Sequence, residues 1–239
     1  LGFEQEQLVY LPYAETLSNE YSLRDALEKC DQQTALLRQS LKQIPGVQGV
    51  SQANHGFGPG ESWTNLFFLT EGESMQNMRV NGVDEHYLPT LAATLIDGRN
   101  FNPELSTDRK QAVIVNETLL QQFQLSGPGD YLPGPYKDFQ IIGVVNDFHI
   151  NSLHEQLSPA FLTMNVGGVL DVTENLSTSS LVPVVLLKLT EGNPQKVLAQ
   201  VKTNWEQLFP GKPFDYRFVD DRLQRQYDNE QRLGTLFTL

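Results

Sequence analysis

Cysteine is almost absent from this chain: Cys30 is the only one in 239 residues. No internal disulfide can form, and neither a redox pair nor a zinc cluster can be built from one thiol. One cysteine leaves the compartment open, because an extracytoplasmic protein without disulfides is as permissible as a cytosolic one. Long hydrophobic runs are missing too. The longest, around Leu181 to Leu187, contains Pro183 and reads as a strand, well short of the roughly 20 apolar residues that span a bilayer. There is no signal-peptide pattern. Positive charge is scarce, with 17 Lys and Arg against 29 Asp and Glu and a net charge of −12. Such a surface repels phosphate backbones and anionic head groups, so no nucleic-acid partner is expected. Walker A, GxSxG and HExxH signatures are all lacking. The chain begins at Leu1 without methionine and stops inside a helical pattern, which reads as a piece of something longer.

What is present builds a core. Hydrophobic residues make up 39% and aromatics 10% of the chain, enough to fold one large domain or two modest ones and too much for disorder. LVYLP (8–12) is a β-type run. Leu23, Leu27, Cys30, Leu37, Leu41 and Ile44 then fall at helical spacing, with Thr34 bridging the gap and Ser22 as N-cap. Cys30 lies on this stripe and is expected to be a packed core thiol. Pro45-Gly46 ends the helix, and VQGVSQAN (47–54) alternates as a strand. Two runs, 63–70 and 74–80, read as a hairpin around Glu71-Gly72. Asp84 is placed to cap a short helix carrying Tyr87, Leu88 and Leu91, with His86 in its first turn as a surface or capping residue. A strand follows at 93–96, and Asp97-Gly98 is a turn signal.

QAVIVNETLLQQFQ (111–124) is a strand running into a helix, with Asn116 as the natural N-cap. The apolar residues Phe139, Ile141, Ile142, Val144 and Val145 predict a strand buried on both faces. Further strands are expected at 159–165, 182–189 and 214–220. The polar stretch 167–180 reads as a mobile surface loop. Pro194 starts a helix ended by Pro210-Gly211, and Asp220 caps a final helix. The two outer segments echo each other: strand, helix closed by Pro-Gly, strand. The pattern predicts an α+β protein with a discontinuous outer domain, 1–80 and 165–239, into which an α/β domain, 81–164, is inserted.

Chemistry-bearing residues concentrate in IIGVVNDFHINSLHEQLSP (141–159), which holds Asp147, His149, His154 and Glu155. On a strand Asp147 and His149 share a face, but no third ligand converges on them at metal spacing. The favoured reading is that Asp147 and Ser152 cap the turn and the imidazoles bond the backbone, with no catalytic or metal role. The acid pairs 84–85 and 220–221 sit at helix starts, where the macrodipole accounts for them.

The segments NGVDEHYLPTLAATLIDGRNF, QAVIVNETLLQQF, IIGVVNDFHINSLHEQLSP and FVDDRLQRQYDNEQRLGTLF, in that order, resemble the MacB-like periplasmic core domain of FtsX-like ABC transporter permeases, in detail those of Bacteroidetes-type bacteria. Gly98, Arg99 and Phe101 match one recurrent structural motif of that family, and Gly143, Asp147 and His149 another. The resemblance implies a Porter-like subdomain made of both chain ends and a Sabre-like inserted middle. It also implies a location on the periplasmic side of the inner membrane, a role in transmitting ATP-driven motion for efflux or extraction, and no cofactor. The implied partners are a separate cytoplasmic ATPase subunit, a dimer or paired repeat of the permease, and a periplasmic adaptor. Leu223, Tyr227, Leu233 and Phe237 form an apolar stripe suited to a transmitting stalk helix, interrupted by Glu230. Two rival readings exist: a cargo-binding module lined by Phe57, Trp63 and Phe67, and a hydrolase using Asp147 and His149.

Overall fold

A computed structural model of the chain describes residues 7–12, 23–56, 63–69, 75–133, 138–147, 157–164 and 184–220; at 23–30, 67–69 and 75–76 it describes the backbone alone. In chain order the elements are β1 (Leu8–Pro12), α1 (Leu23–Leu41), β2 (Val47–Ala53), β3 (Thr64–Leu69), β4 (Met75–Gly82), α2 (Tyr87–Leu91), β5 (Leu95–Gly98), β6 (Ala112–Asn116), α3 (Glu117–Phe123), β7 (Tyr131–Leu132), β8 (Phe139–Val145), β9 (Ala160–Thr163), β10 (Val184–Leu189), α4 (Pro194–Leu208) and β11 (Arg217–Phe218). Ser22, the 167–180 loop and the final helix lie outside the described residues, as does the side chain of Cys30.

The strands form two sheets. The smaller has the order β11-β1-β10-β2 with every neighbouring pair antiparallel. Its four strands come from the two echoing segments, β1-α1-β2 and β10-α4-β11. Each segment is a split βαβ unit whose two strands leave room for one strand of the other unit. Strand alternation sorts the side chains. Val9, Leu11, Val185 and Leu187 point to one face, where they meet Leu37 and Leu41 of α1 and Leu198, Val201 and Trp205 of α4 in one buried cluster. Leu8, Tyr10, Val184 and Leu186 point the other way, into a second cluster. Helix α4 starts as its sequence dictates. Pro194 occupies the first turn, and the Asn193 side chain accepts from Lys196 N at 3.2 Å.

The chain leaves this sheet after β2 and returns at β10. Between them lies the larger sheet, of order β3-β4-β9-β6-β8-β5, with β7 also paired to β8. The second cluster joins the two sheets: Ala112, Ile114, Ile142 and Leu162 of the larger pack with Leu8, Tyr10 and Leu186 of the smaller, and Trp63, Tyr87, Leu88 and Leu91 fill the space around them. The far face of the larger sheet buries Val113, Val115, Ile141, Val144 and Phe161 with Leu119 of α3.

The expected division at residue 80 assigns the β3–β4 hairpin to the chain ends. Its hydrogen bonds lie instead with the larger sheet, because β4 runs parallel to β9 from Arg79↔Ala160 to Gly82↔Thr163. A pairing across that sequence distance leaves no mark in the local pattern of either strand. Two shorter differences concern strand bounds. Strand β5 begins at Leu95 rather than 93, because α2 ends with Ala92 in the left-handed region and Ala93 N bonded to Leu88 O at 3.0 Å, a cap that consumes both residues. The run 214–220 pairs only at Arg217 and Phe218.

Strand β8 is buried on both faces, as its composition predicts. Its apolar residues switch from odd to even positions because Ile142 is an extra residue: Ile141 pairs with Val113, and the next partner, Ile114, faces Gly143. This bulge turns Ile142 and Val145 toward the smaller sheet while Ile141 and Val144 face α3.

Candidate functional site

The two glycine motifs meet in space. Gly98 on β5 is the direct partner of Gly143 on β8. Gly98 has φ +74°, and a β-carbon there would lie 2.3 Å from Ile142 O; one on Gly143 would lie 2.6 Å from Arg99 O. The backbone then turns away with Arg99 N bonded to Ile142 O at 2.9 Å. The Arg99 guanidinium grips the Asp108 carboxylate with two bonds, Nη1 to Oδ2 at 2.6 Å and Nη2 to Oδ1 at 2.9 Å. Asn102 N adds a third at 2.8 Å. Burial pushes the Asp108 carboxyl up, but the Arg99 guanidinium and the Asn102 and Thr107 donors override it and hold the group below the usual carboxylate range. Phe101 is buried against the joint core. These residues hold a corner of the backbone together.

Asp147 serves the backbone of α3, while the turn that the sequence assigns it to cap lies outside the described residues. Its Oδ1 accepts from Thr118 N at 3.0 Å and its Oδ2 from the Thr118 hydroxyl at 2.8 Å. It thereby caps the first turn of α3 beside Asn116, whose Oδ1 accepts from Leu119 N at 3.1 Å and from Ala160 N at 2.9 Å. The partner position of the hydrolase reading, His149, lies outside the described residues, as do Ser152, His154 and Glu155. Among the described residues no group of His, Cys, Asp and Glu is placed to hold a metal ion.

Trp63, offered as a cargo contact, is 1% exposed and belongs to the core between the sheets. It does not line a cleft open to solvent. Phe57 lies outside the described residues; Phe67 is on β3 opposite Asn77, with its side chain not described. Leu223, Tyr227, Leu233 and Phe237 also fall outside the described residues.

Sequence reasoning missed the joint where the chain crosses between sheets. Asp84 stands just after β4 and accepts from four donors: the Arg38 guanidinium on α1, Ser51 Oγ at 2.6 Å, Gln52 N at 3.0 Å and His86 N at 3.2 Å. Arg38 Nε also donates to Val50 O at 3.0 Å. Burial pushes the Asp84 carboxyl up to about 6, against the pull of Arg38, Ser51 and Gln52. The expected cap is therefore only part of its role; Asp84 ties α1, β2 and the start of α2 together. Beside it, Asn81 is fully buried, and its side chain accepts from Asn54 N at 3.2 Å and His55 N at 3.1 Å. His55 is 5% exposed and bonds the Thr64 hydroxyl at 2.9 Å, and burial lowers its pKa to about 4. Arg38 and Asp84 are 46 residues apart, so no spacing rule pairs them.

Next to this joint is a groove of about 380 Å³ between β2, the end of α1 and α2. It forms because α2 lies close over β2: a β-carbon on Gly49 would come within 2.9 Å of Thr90 Oγ1.

This mixed α/β fold is shared with periplasmic and extracellular domains of ABC-type transporters. The periplasmic region of MacB from Actinobacillus actinomycetemcomitans superposes with a TM-score of 0.58 at 15% identity, covering 95% of each chain. The extracellular domain of the transporter YknZ from Gram-positive bacteria superposes with a TM-score of 0.52 at 15% identity, covering 89% of this chain and 100% of that one. A family model for the MacB-like periplasmic core domain matches residues 4–204, and the chain belongs to that family. A search of curated protein sequences finds no match. The family is one of transporter permease domains rather than an enzyme class. No described helix is long and apolar enough to cross a membrane.

Proposed function

We propose that this domain is a mechanical element on the periplasmic side of an FtsX-like permease, passing ATP-driven motion of membrane helices to the periplasm for efflux or extraction of a substrate. The observation that supports this reading is the placement of the first and last described strands. Val9 on β1 pairs with Phe218 on β11, and Val219 N bonds Leu8 O at 2.9 Å. The first and last described strands are thus neighbours in one sheet. Two connections arriving side by side at a sheet backed by two helices can push or turn the whole body as one piece, because packed cores shift as units rather than deform continuously.

In this reading the parent permease works with a separate cytoplasmic ATPase, pairs with a second permease copy or repeat, and engages a periplasmic adaptor. The outer sheet corresponds to the Porter-like subdomain and the inserted sheet to the Sabre-like one. The apolar stripe Leu223, Tyr227, Leu233 and Phe237 is the proposed stalk. A flexible glycine insertion beside Gly234 in the full-length permease should abolish transport and leave ATPase binding intact. Transport that survives the insertion overturns the lever.

A further inference from the structure

The chain contains one Asn-Gly pair, Asn81-Gly82, and one Asp-Gly pair, Asp97-Gly98. At both, a backbone amide can attack the side chain that precedes it, because glycine places no β-carbon beside its own nitrogen. The carboxamide is the more reactive electrophile at neutral pH, so the sequence by itself ranks Asn81 first. The fold reverses that order. Asn81 is fully buried on β4, where its side chain accepts from Asn54 N and His55 N and donates to His55 O at 3.3 Å. Gly82 is held too, paired with Thr163 and accepting from Asn54 N at 2.8 Å. Turning the Asn81 carboxamide toward Gly82 N breaks three hydrogen bonds in a packed interior. Asp97 is exposed on β5, the last strand in the order of the larger sheet, beside an irregularity between Leu95 and Asp97. Gly98 N donates to Asp97 Oδ1 at 2.7 Å, which sets the nitrogen beside the carboxyl carbon it attacks.

From this contrast we infer that Asp97-Gly98 is a self-modification site, where the folded chain closes a succinimide and opens it to isoaspartate while Asn81-Gly82 is spared. With the carboxyl protonated, Gly98 N attacks Asp97 Cγ. The N–Cγ bond forms, the Cγ–OH bond breaks, and the hydroxyl leaves with the amide proton as water. Solvent water then adds across one of the two C–N bonds of the ring. Cleaving N–Cγ restores aspartate. Cleaving the bond from that nitrogen to the Asp97 carbonyl carbon gives isoaspartate, whose main chain is one methylene longer. Nothing is oxidised or reduced, and water is the only co-reactant. The added methylene falls next to Gly98, where a β-carbon would already lie 2.3 Å from Ile142 O, so the modified chain loses the fit of β5 against β8. The inference does not depend on the transport reading.

The test is incubation of the 239-residue chain in neutral buffer made with heavy-oxygen water, followed by peptide mapping. Each opening of the ring places one heavy oxygen in the peptide, and electron-transfer fragmentation separates isoaspartate from aspartate. In the folded chain, heavy oxygen and isoaspartate should accumulate at residue 97 at least several-fold faster than at residue 81. In the same buffer with guanidinium chloride the order should reverse, because the unfolded chain no longer holds the Asn81 carboxamide. Asp97→Glu keeps a carboxylate at this exposed position but cannot close the five-membered ring, so it should abolish the signal. Asp97→Asn should accelerate it several-fold. Modification of residue 81 ahead of 97 in the folded chain, the same order in both conditions, or no signal at 97 above that of Asp97→Glu overturns the inference.

Discussion

Gly98 and Gly143 stand directly opposite each other on β5 and β8, and neither position has room for a β-carbon. At Gly98 the obstacle is double. The backbone is in the left-handed region, and the carbonyl of Ile142 closes the space a side chain would fill. The bulge at Ile142 brings that carbonyl in, so the bulge and the glycine pair are one device. Gly98→Ala and Gly143→Ala should each destabilise the chain by about 1–3 kcal/mol, as strained or overpacked sites do. The double variant should cost less than the sum, since either clash forces β5 and β8 apart and so makes room for the other. Urea denaturation of the three variants checks this, and full additivity would argue against a shared origin.

The clasp between Arg99 and Asp108 is asymmetric: the carboxylate is fully buried and the guanidinium about half exposed. Arg99→Ala leaves Asp108 with the Asn102 and Thr107 donors only, and should cost about 1–3 kcal/mol at neutral pH. The folded state depresses the Asp108 pKa, so its contribution is present above the ordinary carboxylate pKa and lost as pH falls below it. The stability gap between the parent chain and Arg99→Ala should therefore narrow on acidification. A gap that is constant down to acid pH would contradict the clasp.

His55 and Asp84 sit in the same joint and pull stability in opposite directions with pH. The His55 pKa is lowered to about 4, so its contribution is complete above the unfolded value of about 6.5 and disappears as pH falls toward 4. The Asp84 pKa is raised to about 6, so its contribution is complete below the unfolded carboxylate value and disappears as pH rises through 6. The two partly cancel between these limits. His55→Asn should remove the first term and leave the second, so that stability of this variant declines as pH rises from about 4 to 6. Thermal melts across that range read the sign of the slope. A slope no more negative than the parent's would show that the His55 shift is absent.

Asp147 and Asn116 close the start of α3 together. Asn116→Ala gives up two accepted bonds and the one it donates to Ser158 O at 3.0 Å, two of them joining α3 to the approach to β9. It should cost about 1–3 kcal/mol. Asp147→Ala should cost about 1 kcal/mol, the usual worth of a cap. Replacing Asp147 and His149 by Asn in the full-length permease should lower stability without stopping transport. Loss of transport in a variant that folds normally would reopen a chemical role for the pair.

Trp63 provides a contrast between two readings of one residue. As a core residue its truncation to Ala should cost about 3–5 kcal/mol, measured by denaturation with no partner present. A stability change within experimental error would return it to the surface and to cargo contact.

Local order in this protein is written in its sequence. Helix α3 begins at Asn116 and α4 at Pro194 because a side-chain acceptor and a missing N–H each suit a helix start regardless of what lies elsewhere. The repeated strand-helix-strand pattern likewise carried the split βαβ sheet, since alternation and helical spacing are properties of neighbours in the chain. The placement of the β3–β4 hairpin in the larger sheet, the burial of Trp63 and the four donors on Asp84 were decided only by the fold. Each depends on contacts between segments tens of residues apart, and the free energy of such a contact depends on what the rest of the chain brings to it, which no local pattern encodes.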